Sequence, residues 1–242
     1  MNKKLIIIYI TVVVIVGASL GVFQYTNNHK KVTKQPTPTR TVEVTKEPEP
    51  SAITVLDSTN LAVPYAPQAP YGNWAVHEES CEEAALLMYH EYLNGTLHLN
   101  NRIPDATADP VYRAMKSWQV THYGAENDLT MDSLGKFATD YYGLKPKVTN
   151  NATADDIKAA ISSGSPVLVP VMTHSLQNNM YGQYTVYHVL IIKGYDAAGV
   201  FTNDAGVGNG PDHHYTWDIL FTAIDAQTVK MAQGRSILVL TK

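Results

Sequence analysis

Between Gly164 and Ser165 the chain changes its rhythm, and that change limits its fold more than any other feature. Ahead of it, apolar residues recur at helical spacing between helix start and stop signals. The spacing predicts helices from Cys81 to Asn94 before Gly95, over "DPVYRAMKSWQV", from Thr130 to Tyr142 before Gly143, and from Thr153 to Ser163 before Gly164. In the second of these, Asp109 would be the cap and Pro110 the first helical residue. Beyond the change, "SPVLVPVMT", "YTVYHVLIIKGYD", "GVFTND" and "RSILVLT" are short runs rich in β-branched or aromatic residues, separated by turn residues. A last helix fits Thr216 to Ala226. Helices first and a mostly antiparallel sheet afterwards is the α+β pattern.

These patterns occupy residues 60–242, which are enough to bury a core without disulfides. The one cysteine, Cys81, could not form an internal bridge in any case. Upstream the chain is different. Lys3 and Lys4 precede Leu5 to Phe23, nineteen residues without a formal charge. Such a run is just long enough to span a bilayer with the lysines on the cytoplasmic side. Residues 1–23 are therefore expected to direct export, either as a single-pass membrane anchor or, if cut near Ala18-Ser19, as a signal peptide. The protein would then sit at the cell surface or be secreted. Residues 24–59, with Pro36, Pro38, Pro48, Pro50 and many threonines, read as a semi-extended linker. Lys and Arg exceed Asp and Glu by three in residues 1–58, whereas Asp and Glu exceed them by seven in residues 59–242. An acidic domain argues against nucleic acid as a partner.

Cys81 lies in "HEESCEEAALLMYHEYL". Ser80-Cys81-Glu82-Glu83 fits a capping box, which places the cysteine on the first turn of its helix. A helical cysteine is commonly a small buried hydrophobe. At a helix N-terminus the free amides and the macrodipole also favour a thiolate, and with it nucleophilic reactivity. Glu78, Glu79, Glu82 and Glu83 oppose that charge, so a thiolate there calls for a nearby cation. His77, His90, His98 and His122 fall where a solvated or packed ring is expected, and the His213-His214 pair lacks zinc-ligand spacing. His188 stands apart, because it interrupts an apolar strand, and a polar ring buried there needs a partner. That partner is either backbone or the carboxylate of Asp204, at the end of the next strand, which also fits a plain turn residue before Gly206.

Strand parity bears on the choice. A three-residue loop Asp196-Ala197-Ala198, with Tyr195 opposite Gly199, puts Asp204 opposite Leu190 and makes it a diagonal neighbour of His188. A two-residue loop without a bulge would turn the carboxylate to the other face.

Taken together, "VPYAPQAPYGNW", "HEESCEEAALLM", "YHVLIIKGYD", "FTNDAG" and "NGPDHHYTWDILFTAI" resemble the bacterial C39-like peptidases, a branch of the papain-like cysteine peptidases, from about Val63 to Val239. The resemblance implies a papain-like fold whose nucleophile helix packs on a mostly antiparallel sheet. It also implies that Cys81 is the nucleophile, His188 the general base and then acid, and Asp204 the orienting carboxylate. Gln68 is implied to bind the oxyanion together with the Cys81 backbone N–H. A peptide or protein would be the substrate, with no metal or organic cofactor required. Two departures stand out. Double-glycine leader peptidases are carried on ATP-driven exporters, and this chain has no phosphate-binding loop, so that substrate does not transfer. Ala205 also follows the aspartate where many relatives have proline. The same residues would serve an amidase or transpeptidase acting on cell-wall peptides, and the same scaffold could carry a noncatalytic binding module.

Overall fold

The computed structural model describes residues 54–242. The apolar segment 5–23 and the linker up to residue 53 lie outside the described residues. No helix among the described residues is long and apolar enough to cross a membrane.

After a two-residue strand β1 (Thr59–Asn60) and a loop carrying Gln68, the chain forms a short helix α1 (Trp74–His77). Three longer helices follow: α2 (Cys81–Asn94), α3 (Asp105–Tyr123) and α4 (Met131–Tyr142). Then come β2 (Lys145–Thr149), α5 (Ala154–Ser162), β3 (Val167–Met172), β4 (Tyr187–Tyr195), β5 (Gly199–Asn203), β6 (His213–Thr216), α6 (Trp217–Met231) and β7 (Ile237–Thr241). The sheet runs β2-β7-β3-β4-β5-β6, and β1 extends it beside β4; every pairing between these strands is antiparallel. This is the expected α+β arrangement.

The sheet separates two apolar cores, because side chains alternate along a strand. From β4, Val189 and Ile191 join a core with α2, α3 and α4, while Leu190 and Ile192 join one with α5 and α6. Burial on both faces explains why β4 reads as a continuous apolar run instead of an alternating one. Helix α2 is buried from Cys81 through Tyr89, packed between β4, α3 and α4. Leu86, Leu87 and Met88 are at most 1% exposed, and each such burial contributes about 1.5–3 kcal/mol. Tyr89 anchors the helix to the sheet by donating to the Pro166 carbonyl (2.8 Å) and accepting from the Leu240 N–H (2.9 Å).

Several expectations are corrected. Helix α3 starts at Asp105, with Pro110 inside it, so Asp109 does not cap it. The Asp109 carboxylate instead meets His77 Nε2 and Arg113. The capping box at Ser80 does not form: Ser80 is the N-cap but its hydroxyl is turned to His77 Nδ1, and the Glu83 carboxyl goes inward to Gln119. Thr130, Thr153 and Thr216 do cap α4, α5 and α6, and α6 runs on to Met231. Strands β1, β2 and β6 were not among the expected elements.

The β4–β5 hairpin reaches the expected register by another route. Asp196 N–H bonds the Gly199 carbonyl, so the connection is the two residues Ala197 and Ala198, and Tyr195 faces Val200. A bulge between Ile192 and Gly194 then shifts the pairing by one, giving Ile192–Thr202 and Ile191–Asn203. Continued by one pair, this register sets Asp204 opposite Leu190. The bulge supplies what the longer loop was expected to supply.

Candidate active site

Helix α2 delivers Cys81 at its first residue, and β4 delivers His188 near its N-terminal end; both line one cleft of about 440 Å³, together with Gln68. The rim carries the exposed side chains of Trp74, Met180 and Tyr184. Asp204 lies behind His188, fully buried at the end of β5.

The histidine half of the site is held tightly. His188 Nε2 is 3.0 Å from Asp204 Oδ1. That oxygen also accepts from Tyr181 Oη (2.6 Å) and the Gly206 N–H (3.1 Å), while Oδ2 accepts from Tyr215 Oη (2.7 Å). Burial alone pushes the Asp204 carboxyl up. The hydrogen bond and charge of His188 and the two phenols outweigh it, so the net shift is below the usual carboxylate range. With Nε2 engaged, Nδ1 is the ring nitrogen left for proton transfer. The Ala205 departure does not open this turn: Asp204 N–H bonds the Gly210 carbonyl (3.0 Å), and the Ala205 carbonyl accepts from Gln68 N–H (2.8 Å). Gly206 fits for steric reasons, since a Cβ there would lie 2.9 Å from Tyr181 Oη and 3.1 Å from His188 Cε1.

The cysteine half departs from expectation. Cys81 Sγ donates to Glu82 Oε2 (2.8 Å), and no hydrogen bond among the described residues joins it to His188. Burial and the neighbouring Glu82 charge push the thiol well above its ordinary range, against a smaller lowering by the Val189 backbone N–H. The helix terminus therefore does not by itself make a thiolate here. Glu82 and Glu83 do not decorate the surface: both are buried, and burial raises both carboxyls. Glu82 Oε1 accepts from the Leu129 N–H (2.9 Å), Glu83 Oε1 accepts from Gln119, and Glu83 Oε2 has no hydrogen-bond partner among the described residues.

Gln68 is in the cleft but its amide is occupied. Nε2 donates to the carbonyls of His77 (3.2 Å) and Glu78 (2.6 Å). Sequence reasoning missed the two tyrosines on Asp204 and the buried glutamate on Cys81. Tyr215 belongs to the motif "NGPDHHYTWDILFTAI", while Tyr181 sits in a loop without any pattern that marks it.

The sequence of residues 60–225 matches the Peptidase_C39-like family. Among solved structures, the fold is similar to a Bacillus anthracis protein assigned as a C39-like peptidase, with a TM-score of 0.51 and 14% identity over 76% of this chain and 98% of that one. Xylellain, a cysteine protease from Xylella fastidiosa, aligns at a TM-score of 0.42 and 13% identity, over 81% of this chain and 90% of that one. No curated protein matches the sequence. The likeness to the Bacillus anthracis structure, together with the antiparallel sheet and the position of α2, gives the expected cysteine-peptidase-like fold.

Proposed function

The chain belongs to the Peptidase_C39-like family, and on that premise we propose that it is a cysteine peptidase acting outside the cytoplasmic membrane on peptides or proteins. The observation that carries this reading is the shared cleft. Cys81 and His188 line it together, and Asp204 fixes the ring so that Nδ1 is free. Cys81 gives its proton to His188 Nδ1, and the thiolate adds to the substrate carbonyl carbon. The resulting oxyanion is bound by the Cys81 backbone N–H and by Gln68 Nε2, which gives up the longer of its two bonds, the one to the His77 carbonyl. When the C–N bond breaks, His188 returns the proton to the leaving amine and an acyl-thioester remains on Cys81. His188 then takes a proton from water, the hydroxide displaces the sulfur, the acid is released, and His188 returns its proton to Cys81.

The location rests on the charge-free segment from Leu5 to Phe23 behind Lys3 and Lys4. One experiment separates location from activity. Intact cells producing the full chain are incubated with a peptide library, beside cells producing Cys81→Ala, and the peptides are read by mass spectrometry. New fragments outside the wild-type cells alone are the expected result. Fragments that form only in lysates would overturn the location and keep the peptidase. Identical spectra from both strains and both lysates would remove the peptidase.

A further inference from the structure

We propose that Glu82 is a catalytic residue that holds the resting nucleophile in check: while charged, its carboxylate keeps Cys81 as a neutral thiol turned from His188, and protonation of Glu82 releases the sulfur. The proposal rests on the reading of Cys81 as nucleophile.

The geometry is a contact between a buried acid and a reacting atom. Glu82 Oε2 lies 2.8 Å from Cys81 Sγ, and Glu82 is 3% exposed. A sulfur that donates to this carboxylate cannot at once donate to the imidazole. A thiolate in the same place would face the carboxylate as a second negative charge with little water to screen it. The surroundings relieve that only through neutral donors. From α2, Glu83 adds another buried carboxyl. From the loop before α4 come the Leu129 N–H, which donates to Oε1, and Asp128. From β4 come Tyr187, whose hydroxyl donates to the Leu129 carbonyl (2.6 Å), and the Val189 N–H on the sulfur. From α6, Lys230 lies over the Tyr187 ring, but its ammonium is 2.5 Å from Asp128. From α3, Gln119 serves Glu83, and Tyr112 lies beyond it. No described cation pairs directly with Glu82.

At rest the set is thiol, neutral imidazole and carboxylate. Glu82 takes one proton from solvent, and its O–H then points at the sulfur as a donor. The thiol proton moves to His188 Nδ1, which leaves a thiolate, an imidazolium and a neutral acid. The competent ion pair therefore forms most readily when Glu82 carries its proton, and is lost as pH rises through the ionisation of Glu82. Burial places that ionisation above the ordinary carboxylate range.

The test is alkylation of the full chain by iodoacetamide across about pH 5 to 8, with glutathione beside it. Glutathione should react about tenfold faster per pH unit as its thiolate grows, whereas Cys81 should stay level or slow down over the same range. Glu82→Gln keeps an acceptor for the Leu129 N–H and mimics the protonated acid. It should be alkylated at least about tenfold faster than wild type at pH 8, with the two rates converging at pH 5. Glu83→Gln, which removes only the more distant of the two charges from the sulfur, should lie between wild type and Glu82→Gln at pH 8. A wild-type rate that climbs in parallel with glutathione overturns the proposal without reference to any variant, as does a folded Glu82→Gln that reacts no faster at pH 8. The expected alkylation pattern in a protein that cleaves no peptide would leave the hold of Glu82 on the sulfur standing and remove the peptidase reading instead.

Discussion

Two carboxyl groups flank the Cys81–His188 pair, one on each side, and they are buried alike but shifted in opposite directions. Asp204 is 0% exposed and Glu82 is 3% exposed. Burial pushes both up. Asp204 nevertheless ends below the usual range, because a histidine, two phenols and a backbone N–H donate to it. Glu82 receives a thiol, the Leu129 N–H and its own N–H, none of them charged, and ends above it. The number and charge of the donors decide the sign, while depth sets only the starting penalty. The histidine half is thus built to hold a charge and the cysteine half to refuse one.

The largest expected effect comes from removing the better-served acid. Asp204→Ala would leave a buried imidazole and two buried phenols without an acceptor, which should cost about 3–5 kcal/mol in urea unfolding at neutral pH and abolish turnover. A loss under about 1 kcal/mol would mean that the donors find other partners, and the contrast between the two acids would collapse.

A smaller effect is expected from removing one donor at a time. Tyr181→Phe and Tyr215→Phe should each cost about 1.5–3 kcal/mol, the range for hydrogen bonds to a charged group. The folded Asp204 carboxyl is depressed, so its contribution is present above the unfolded value of about 3.9 and lost as pH falls through the folded one. The gap between either variant and wild type should therefore close as melting is measured at lower pH. A gap of constant size from neutral to strongly acidic pH would assign the loss to packing instead of to the carboxylate.

What could be read in advance divides along similar physical lines. Thr130, Thr153 and Thr216 start helices where expected, and Gly95 and Gly143 end them in the left-handed conformation, because caps are local chemistry within a few residues. His188 and Asp204 were legible for a related reason: one polar ring in an apolar strand has few ways to be satisfied. Glu82 and Glu83 were not. At the first turn of a helix a glutamate normally faces water, and only the packing of α3, α4 and β4 around α2 buries these two. The same holds for β7, whose place between β2 and β3 no local pattern encodes, while the exposed Pro110, expected to open α3, lies inside it because the helix already begins at Asp105. The bulge after Ile192 was equally hidden, although Lys193, buried and paired with Asp212 within an apolar run, marks where it falls.

Glu83 offers the smallest effect and separates burial from the chemistry of the sulfur. It is 1% exposed, with Oε1 on Gln119 and no described partner for Oε2. Burial, and then the Glu82 charge, raise its carboxyl. A carboxyl raised on folding contributes stability that is fully present below its unfolded value of about 4.3 and lost as pH rises through the folded value. Glutamine cannot ionise, keeps an acceptor for Gln119, and escapes that loss. Glu83→Gln should match wild type in melting near pH 4 and become more stable by about 1 kcal/mol toward pH 9. A Glu83→Gln protein that is equally destabilised at both pH values would show that the carboxyl is held by a partner a glutamine cannot replace. The cysteine half would then contain one acid stabilised as Asp204 is, and its refusal of charge would rest on Glu82 alone.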